Sequence, residues 1–298
     1  MIHGLLPVRK EKGSTSHQVV DQVRSIFKTR KVGHFGTLDP FATGVLLVAV
    51  GKVTRFFDFY IKKIKTYSGT IRFGYATTTY DEEGIPMAPD QDVDIRDFNW
   101  EKIMAVFKGK ISQLPPLYSA KKVGGIPMYK LARRNISVER KPVTVEIHSL
   151  EWEALDQRHL WFRALTSAGT YIRSIAHDIG QMAGCGAYLA SLQRESVGEF
   201  TLAQARSIAE IRAISANGNY LGTLLPLESL LTEYPKLIVN DNAARLVSNG
   251  GEVCGQDILA VIPAEEKEFY RVFDEEGVFL ALARKKPNSR SFKPVVVL

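Results

Sequence analysis

Apolar residues recur along the chain with two distinct periods, and these define most of its predicted elements. Val19, Val20, Val23, Ile26 and Phe27 follow Ser14, Thr15 and Ser16 at helical spacing, with the hydroxyls offering N-caps, so a helix is expected there. A turn-rich stretch over 33–44 leads into the unbroken apolar run 45–50, a buried strand ending at Gly51. Tyr67, Gly69, Ile71, Phe73 and Tyr75 then alternate with polar residues, the period-2 mark of a half-buried strand. Ile103, Val106 and Phe107 predict a helix over 99–110. Val143, Val145 and Ile147 predict a strand, with 159–166 as its partner, and a helix from Tyr171 through Ile175 and Ile179 fades near Gly184. Strands and helices mix without a strict βαβ rhythm. That favours an α+β fold, a mixed or antiparallel central sheet flanked by helices.

Character shifts near 225–235. Beyond it, 258–262, 270–273 and 278–283 read as short strands between turn residues. The chain therefore divides into a larger domain over 1–231 and a small β-rich domain over 232–298. Either a nucleic-acid-binding module or a dimerisation surface fits the latter. Residues 113–142 are poor in apolar residues, basic, and punctuated by Gly and Pro, which marks an insertion in the larger domain.

Composition narrows the class. The longest apolar run is far shorter than a membrane span, and the N-terminus lacks the apolar core of a signal peptide, so a soluble cytoplasmic protein is expected. Cys185 and Cys254 lie far apart and match no metal-ligand spacing, so no metal is expected. The net charge of +7 is unevenly placed. Residues 1–75 carry 13 Lys/Arg against 4 Asp/Glu and residues 118–142 carry 7 against 1, whereas 76–117 carry 4 against 8. Two basic segments flanking an acidic one are the footprint of a polyanion partner.

The densest chemistry lies in Gly33-His34-Phe35-Gly36-Thr37-Leu38-Asp39-Pro40-Phe41-Ala42-Thr43-Gly44, a tight loop with one carboxylate that runs into a buried strand. By residue type alone Asp39 is a turn former, and Tyr67, Tyr171 and Arg173 are packing or surface residues. His177 and Asp178 are adjacent on a helix and share no face, so they read as structural. Gly51-Lys52-Val53-Thr54 lacks the glycine of a phosphate loop, and Asp81-Glu82-Glu83-Gly84 lacks the other ligands of a calcium loop.

The Gly33–Gly44 run resembles the signature of the TruB-type bacterial pseudouridine synthases, which act on position 55 of tRNA. Further matches come in the family's order. They are Lys65-Thr66-Tyr67, then Gln113-Leu114-Pro115-Pro116-Leu117-Tyr118-Ser119-Ala120-Lys121, then Gly169-Thr170-Tyr171-Ile172-Arg173. The resemblance covers roughly 2–200. The chain departs from the family at Arg9-Lys10-Glu11, where Asp-Lys-Pro is usual, and over 76–81, where one acidic residue stands in place of two.

The resemblance implies that Asp39 is the catalytic carboxylate, that Tyr67 stacks on the target base and that Arg173 pairs with Asp39. It places Tyr171 in the same pocket, makes Leu192 an apolar wall, and gives His34 and Lys10 parts in holding the flipped-out nucleotide. It also implies an RNA-clamping insertion over 113–142 and a PUA-type RNA-binding tail. The implied reaction isomerises uridine without a cofactor, on tRNA, in a monomer that needs no protein partner. Two other readings share these features, a tRNA-folding chaperone and a guide-RNA-dependent enzyme. The short flanking segments favour the stand-alone enzyme.

Overall fold

The computed structural model describes every residue except Met1, Asn135, Ser137, Asn217 and Tyr220. The larger domain contains strands β1 (Gly4–Lys10), β2 (Val32–His34), β3 (Thr43–Val50), β4 (Lys65–Phe73), β5 (Gly109–Gln113), β6 (Lys122–Val123), β7 (Ile126–Pro127), β8 (Val143–Ala154), β9 (His159–Thr166), β10 (Ala187–Val197) and β11 (Phe200–Thr201). Its helices are α1 (Ser16–Phe27), α2 (Phe57–Tyr60), α3 (Trp100–Ala105), α4 (Met128–Ala132), α5 (Ile172–Met182) and α6 (Ile208–Ala216).

The apolar run of β3 is continuous because both of its faces are covered. Val45, Leu47 and Ala49 join one core, while Leu46, Val48 and Val50 join another under α1. Helix α1 begins where its capping residues require. The Thr15 side chain accepts from the Gln18 backbone while the Gln18 side chain accepts from the Thr15 backbone, a capping box.

The main sheet runs β1-β3-β10-β4-β9-β8-β5, with β2 on β3 and β11 on β10. All its pairings are antiparallel except β3 with β10, which are parallel over Thr43–Gly44 and Gln193–Arg194. The sheet is therefore mixed, as expected for the α+β class. Helices α3 and α5 pack on β4, β8 and β9 through Met104, Ile172, Ile175 and Ile179.

Some boundaries differ from the sequence reading. The helix expected over 99–110 is only Trp100–Ala105. Gly109 turns with φ +77° and the chain enters β5, whose hydrogen bonds to β8 replace helical ones. The alternation seen through Tyr75 stops as a strand at Phe73, because Gly74 takes φ +118°.

The tail forms a five-stranded sheet, β13 (Ile258–Ile262)–β12 (Lys236–Val239)–β14 (Phe269–Phe273)–β15 (Phe279–Lys285)–β16 (Phe292–Val297), with helix α7 (Asp241–Ser248) beside it. Phe273, Phe279 and Leu282 pack into the same core as Leu5, Leu47 and Phe56, so the small domain is seated directly on the main sheet. No described helix is long and apolar enough to cross a membrane.

Candidate active site

A cleft of about 450 Å³ opens where the parallel β3–β10 contact meets the start of β4. Its walls include Asp39, Tyr67, Tyr171, Arg173 and Leu192, five of the seven residues singled out from the sequence. Lys62, Lys65, Ser119 and Arg194 line it as well.

The Asp39 loop is held from beneath. Ser16 Oγ donates to the Leu38 carbonyl at 2.9 Å and accepts from the Leu38 N–H at 2.8 Å. Leu38, Phe41 and Ala42 are buried in the main core. Gly44, with φ +117°, ends the loop against β10, where an added Cβ would lie 2.3 Å from the Arg194 carbonyl oxygen. No other residue type fits that conformation and that spacing.

Asp39 is thereby fixed at the cleft wall with its side chain about one-third exposed, at 31%. Arg173, from the first turn of α5, meets it with two bonds: Nε to Oδ2 at 2.9 Å and Nη2 to Oδ1 at 3.0 Å. This bidentate fork fixes the carboxylate plane as well as its charge. The same guanidinium reaches Asp81 Oδ2 at 3.3 Å and donates to the carbonyls of Thr79, at 3.1 Å, and Tyr118, at 2.9 Å. Arg173 thus bridges two carboxylates and two loops. Asp81 is buried, and burial pushes its pKa above the ordinary carboxylate value, opposed by the Thr79 hydroxyl and by Arg173.

Tyr67 sits two residues into β4, buried beside Leu38 and Leu192. Tyr171 is the N-cap residue of α5, and burial raises the pKa of its phenol against a hydrogen bond to Ser119.

Three further cations underlie the site. Lys10 Nζ donates to the carbonyls of Glu11, Ser14 and Pro40 at 3.0, 2.7 and 3.1 Å. Lys65 Nζ donates to those of Ile61 and Lys63, at 2.7 and 2.6 Å. Arg194, the largest fully buried side chain, donates to the carbonyls of Val45, Thr37 and Gly36. Among the described residues none of the three forms an ion pair with a carboxylate. Positive charge is left over around the cleft, a field suited to a phosphodiester backbone.

Two of the expected residues, Lys10 and His34, lie outside this cleft lining. The Lys10 ammonium donates to three backbone carbonyls behind the Asp39 loop and so props the loop. His34 lies on β2, outside the cleft lining, and burial followed by the charge of Arg194 lowers its pKa. Asp81, Arg194 and Gln113 were absent from the expected set. Asp81 carried a signal, being the one acidic residue over 76–81.

The Lys10 environment has a measurable consequence. Burial lowers its pKa from 10.5 to about 8. Between those values the unfolded chain holds a proton that the folded chain lacks. The resulting stability is fully present above about 10.5 and is lost as the pH falls through about 8. Urea unfolding of wild type and Lys10→Met at pH 7.5 and 9.5 should show the wild type gaining on the variant at the higher pH. An identical difference at both values would contradict this account.

A family model described as "TruB family pseudouridylate synthase (N terminal domain)" matches residues 24–172, and one described as "tRNA pseudouridylate synthase B C-terminal domain" matches 173–232. The chain belongs to the TruB family.

Curated TruB relatives carry the name tRNA pseudouridine synthase B. That of Solibacter usitatus is 42% identical over 83% of this chain and 84% of its own length. That of Thermotoga maritima is 39% identical over 97% and 92%, and that of Bacillus pumilus 37% identical over 100% and 98%. Among solved structures, a Cbf5-Nop10-Gar1 complex contains a chain with TM-score 0.72 and 25% identity, covering 99% of this chain and 83% of that one. An H/ACA RNP bound to a substrate RNA containing 2′-deoxyuridine contains one with TM-score 0.71 and 22% identity, covering 99% and 84%. These share the TruB fold, small domain included. Both TruB family models stop before the five-stranded sheet, and the second begins inside α5, so their boundary does not follow the structural layers.

Proposed function

We propose that this chain isomerises the uridine at position 55, in the T-loop of tRNA, to pseudouridine, with Asp39 as the catalytic carboxylate. The observation that carries the reading is the pairing of Asp39 with Arg173 by two hydrogen bonds on the wall of a cleft that also holds Tyr67. The reaction breaks the C1′–N1 bond, turns the uracil and joins C1′ to C5. The C5 proton is lost and N1 gains one, so atoms balance without a redox partner or group donor.

Each residue has a part. Asp39 attacks C1′, or removes the C2′ proton to give a glycal, and either role requires the ionised carboxylate. Tyr67 supports the detached uracil, and stacking of this kind is worth about 1–3 kcal/mol per base. Leu192 closes the apolar side of the pocket. The uridine reaches Asp39 only by leaving its stack, at a cost of a few kcal/mol. Phosphate contacts offset that cost.

The insertion over 113–142, outside Asn135 and Ser137, supplies such contacts. It exposes Leu117, Val123 and Ile126 among Lys121, Lys122, Lys130 and Arg133. The small domain over 232–298 adds a second RNA surface of the PUA type.

The test is tritium release from a tRNA transcript labelled at uracil C5, incubated with purified protein and no cofactor. Release equivalent to one uridine, lost when the T-loop uridine is replaced, is the expected result. Tight tRNA binding without release would overturn the proposal.

A further inference from the structure

The stem of the insertion is tied to α5 by hydrogen bonds that the chemistry above does not use. Gln113, the last residue of β5, is 1% exposed. Its amide Nε2 donates to the Tyr171 carbonyl at 2.9 Å, and its Oε1 accepts from the Tyr171 N–H at 2.7 Å. One planar amide therefore engages both backbone groups of a single residue and fixes the two peptide planes that flank it. Tyr171 is the N-cap of α5 and has no side-chain cap bond of its own. Gln113, from a distant part of the chain, satisfies the N–H of this N-cap residue, one of the donors left without a partner at a helix start.

The bonds on either side reinforce the tie. Ser174 Oγ donates to the Leu114 carbonyl at 2.9 Å, and Arg173 Nη2 donates to the Tyr118 carbonyl at 2.9 Å. Gln113 and the residues that follow it thus dock on the turn that carries Tyr171 and Arg173. Arg173 is the residue whose fork holds Asp39.

We propose that Gln113 is a positioning residue for the reaction: its amide fixes the backbone at Tyr171 and so aims both the Tyr171 ring and the Arg173 fork into the cleft. Tyr171 and Arg173 lie within three positions of each other at a helix start. A rotation of the Tyr171 peptide moves both at once. Because Gln113 is also the root of the insertion, the same amide makes the insertion's docking and the placement of Arg173 one event. This inference rests on the isomerase reading.

The test compares wild type, Gln113→Leu and Gln113→Glu in single-turnover tritium release, alongside tRNA Kd and thermal melting. Leucine fills the space but offers neither bond. Ionised glutamate keeps the acceptor for the Tyr171 N–H and loses the donor to its carbonyl. The expected result is a rate lower by about 10- to 100-fold for Gln113→Leu, the scale of an ångström-level misplacement. A smaller loss is expected for Gln113→Glu, with Kd within about threefold of wild type for both. If Gln113→Leu does not fold, Gln113→Glu carries the test. Folded variants with wild-type rates would overturn the inference, as would losses of rate and affinity that follow only the loss of folded protein. A wild type that binds tRNA without releasing tritium would instead remove the isomerase reading beneath it.

Discussion

Asp39→Ala is expected to lower single-turnover tritium release by roughly 10⁴-fold or more, the scale on which removal of a covalent nucleophile acts, while tRNA Kd stays within about threefold. The geometry separates these two quantities. Asp39 presents a carboxylate to the cleft, and a carboxylate contributes nothing favourable to phosphate binding. Its removal also leaves Arg173 anchored, since the guanidinium keeps Asp81 and the carbonyls of Thr79 and Tyr118. The loop keeps its supports from Ser16, Lys10 and Arg194. Folding should therefore be intact, which melting would verify. Retained turnover would remove Asp39 from its role, and lost RNA binding in a folded variant would reassign it. Any assistance to tRNA folding that depends on binding alone should survive in this variant, which makes it the means of separating the two activities.

Arg173→Ala is expected to damage both stability and rate. The Arg173 and Asp81 side chains are 6% and 4% exposed, so the substitution strands a buried carboxylate. Breaking such a pair costs about 3–5 kcal/mol. The loss has a definite pH sense. Burial already raises the Asp81 pKa, and a protonated Asp81 does not need the guanidinium. The destabilisation should be largest near neutrality and shrink as the pH falls and Asp81 takes up a proton. Arg173→Lys restores a positive charge but cannot reproduce the fork on Asp39. It should recover part of the stability while leaving the rate about 10²-fold down. Urea unfolding at pH 5 and 7.5, with single-turnover rates for both variants, would decide this. Wild-type catalysis by Arg173→Lys would show that charge alone suffices.

What could be read from the sequence was whatever the backbone itself demanded. The Asp39 loop stood out because Gly36 and Gly44 occupy left-handed conformations and Gly44 touches β10, restricting the residues allowed there. The double burial of β3 and the caps of α1 likewise leave periodic traces. Strand β10 left almost none. It lies inside the sheet between β3 and β4, yet Gln193, Arg194 and Glu195 interrupt its apolar pattern. Arg194 is fully buried because three carbonyls receive it, a fact visible only once those carbonyls are placed. The pairing of Asp81 with Arg173 was hidden for a similar reason. Asp81 sits in an acidic run that reads as a solvated loop, and its partner Arg173 is distant in sequence. The three carbonyls that receive the Lys10 ammonium were likewise hidden, since residue type cannot say what an ammonium faces.

The place of β10 in the sheet also orders events during synthesis. Asp39 lies on the side of β3 and Tyr67 on β4, and these strands are neighbours only through β10, whose residues leave the ribosome more than a hundred positions later. Without β10, the strands beside Asp39 and Tyr67 have no shared neighbour in the sheet. Insertion of β10 joins them, brings Leu192 to the cleft and delivers the Arg194 guanidinium to the loop. A chain truncated before 187 is therefore expected to bind RNA through its basic surface without releasing tritium, and release by such a chain would contradict this.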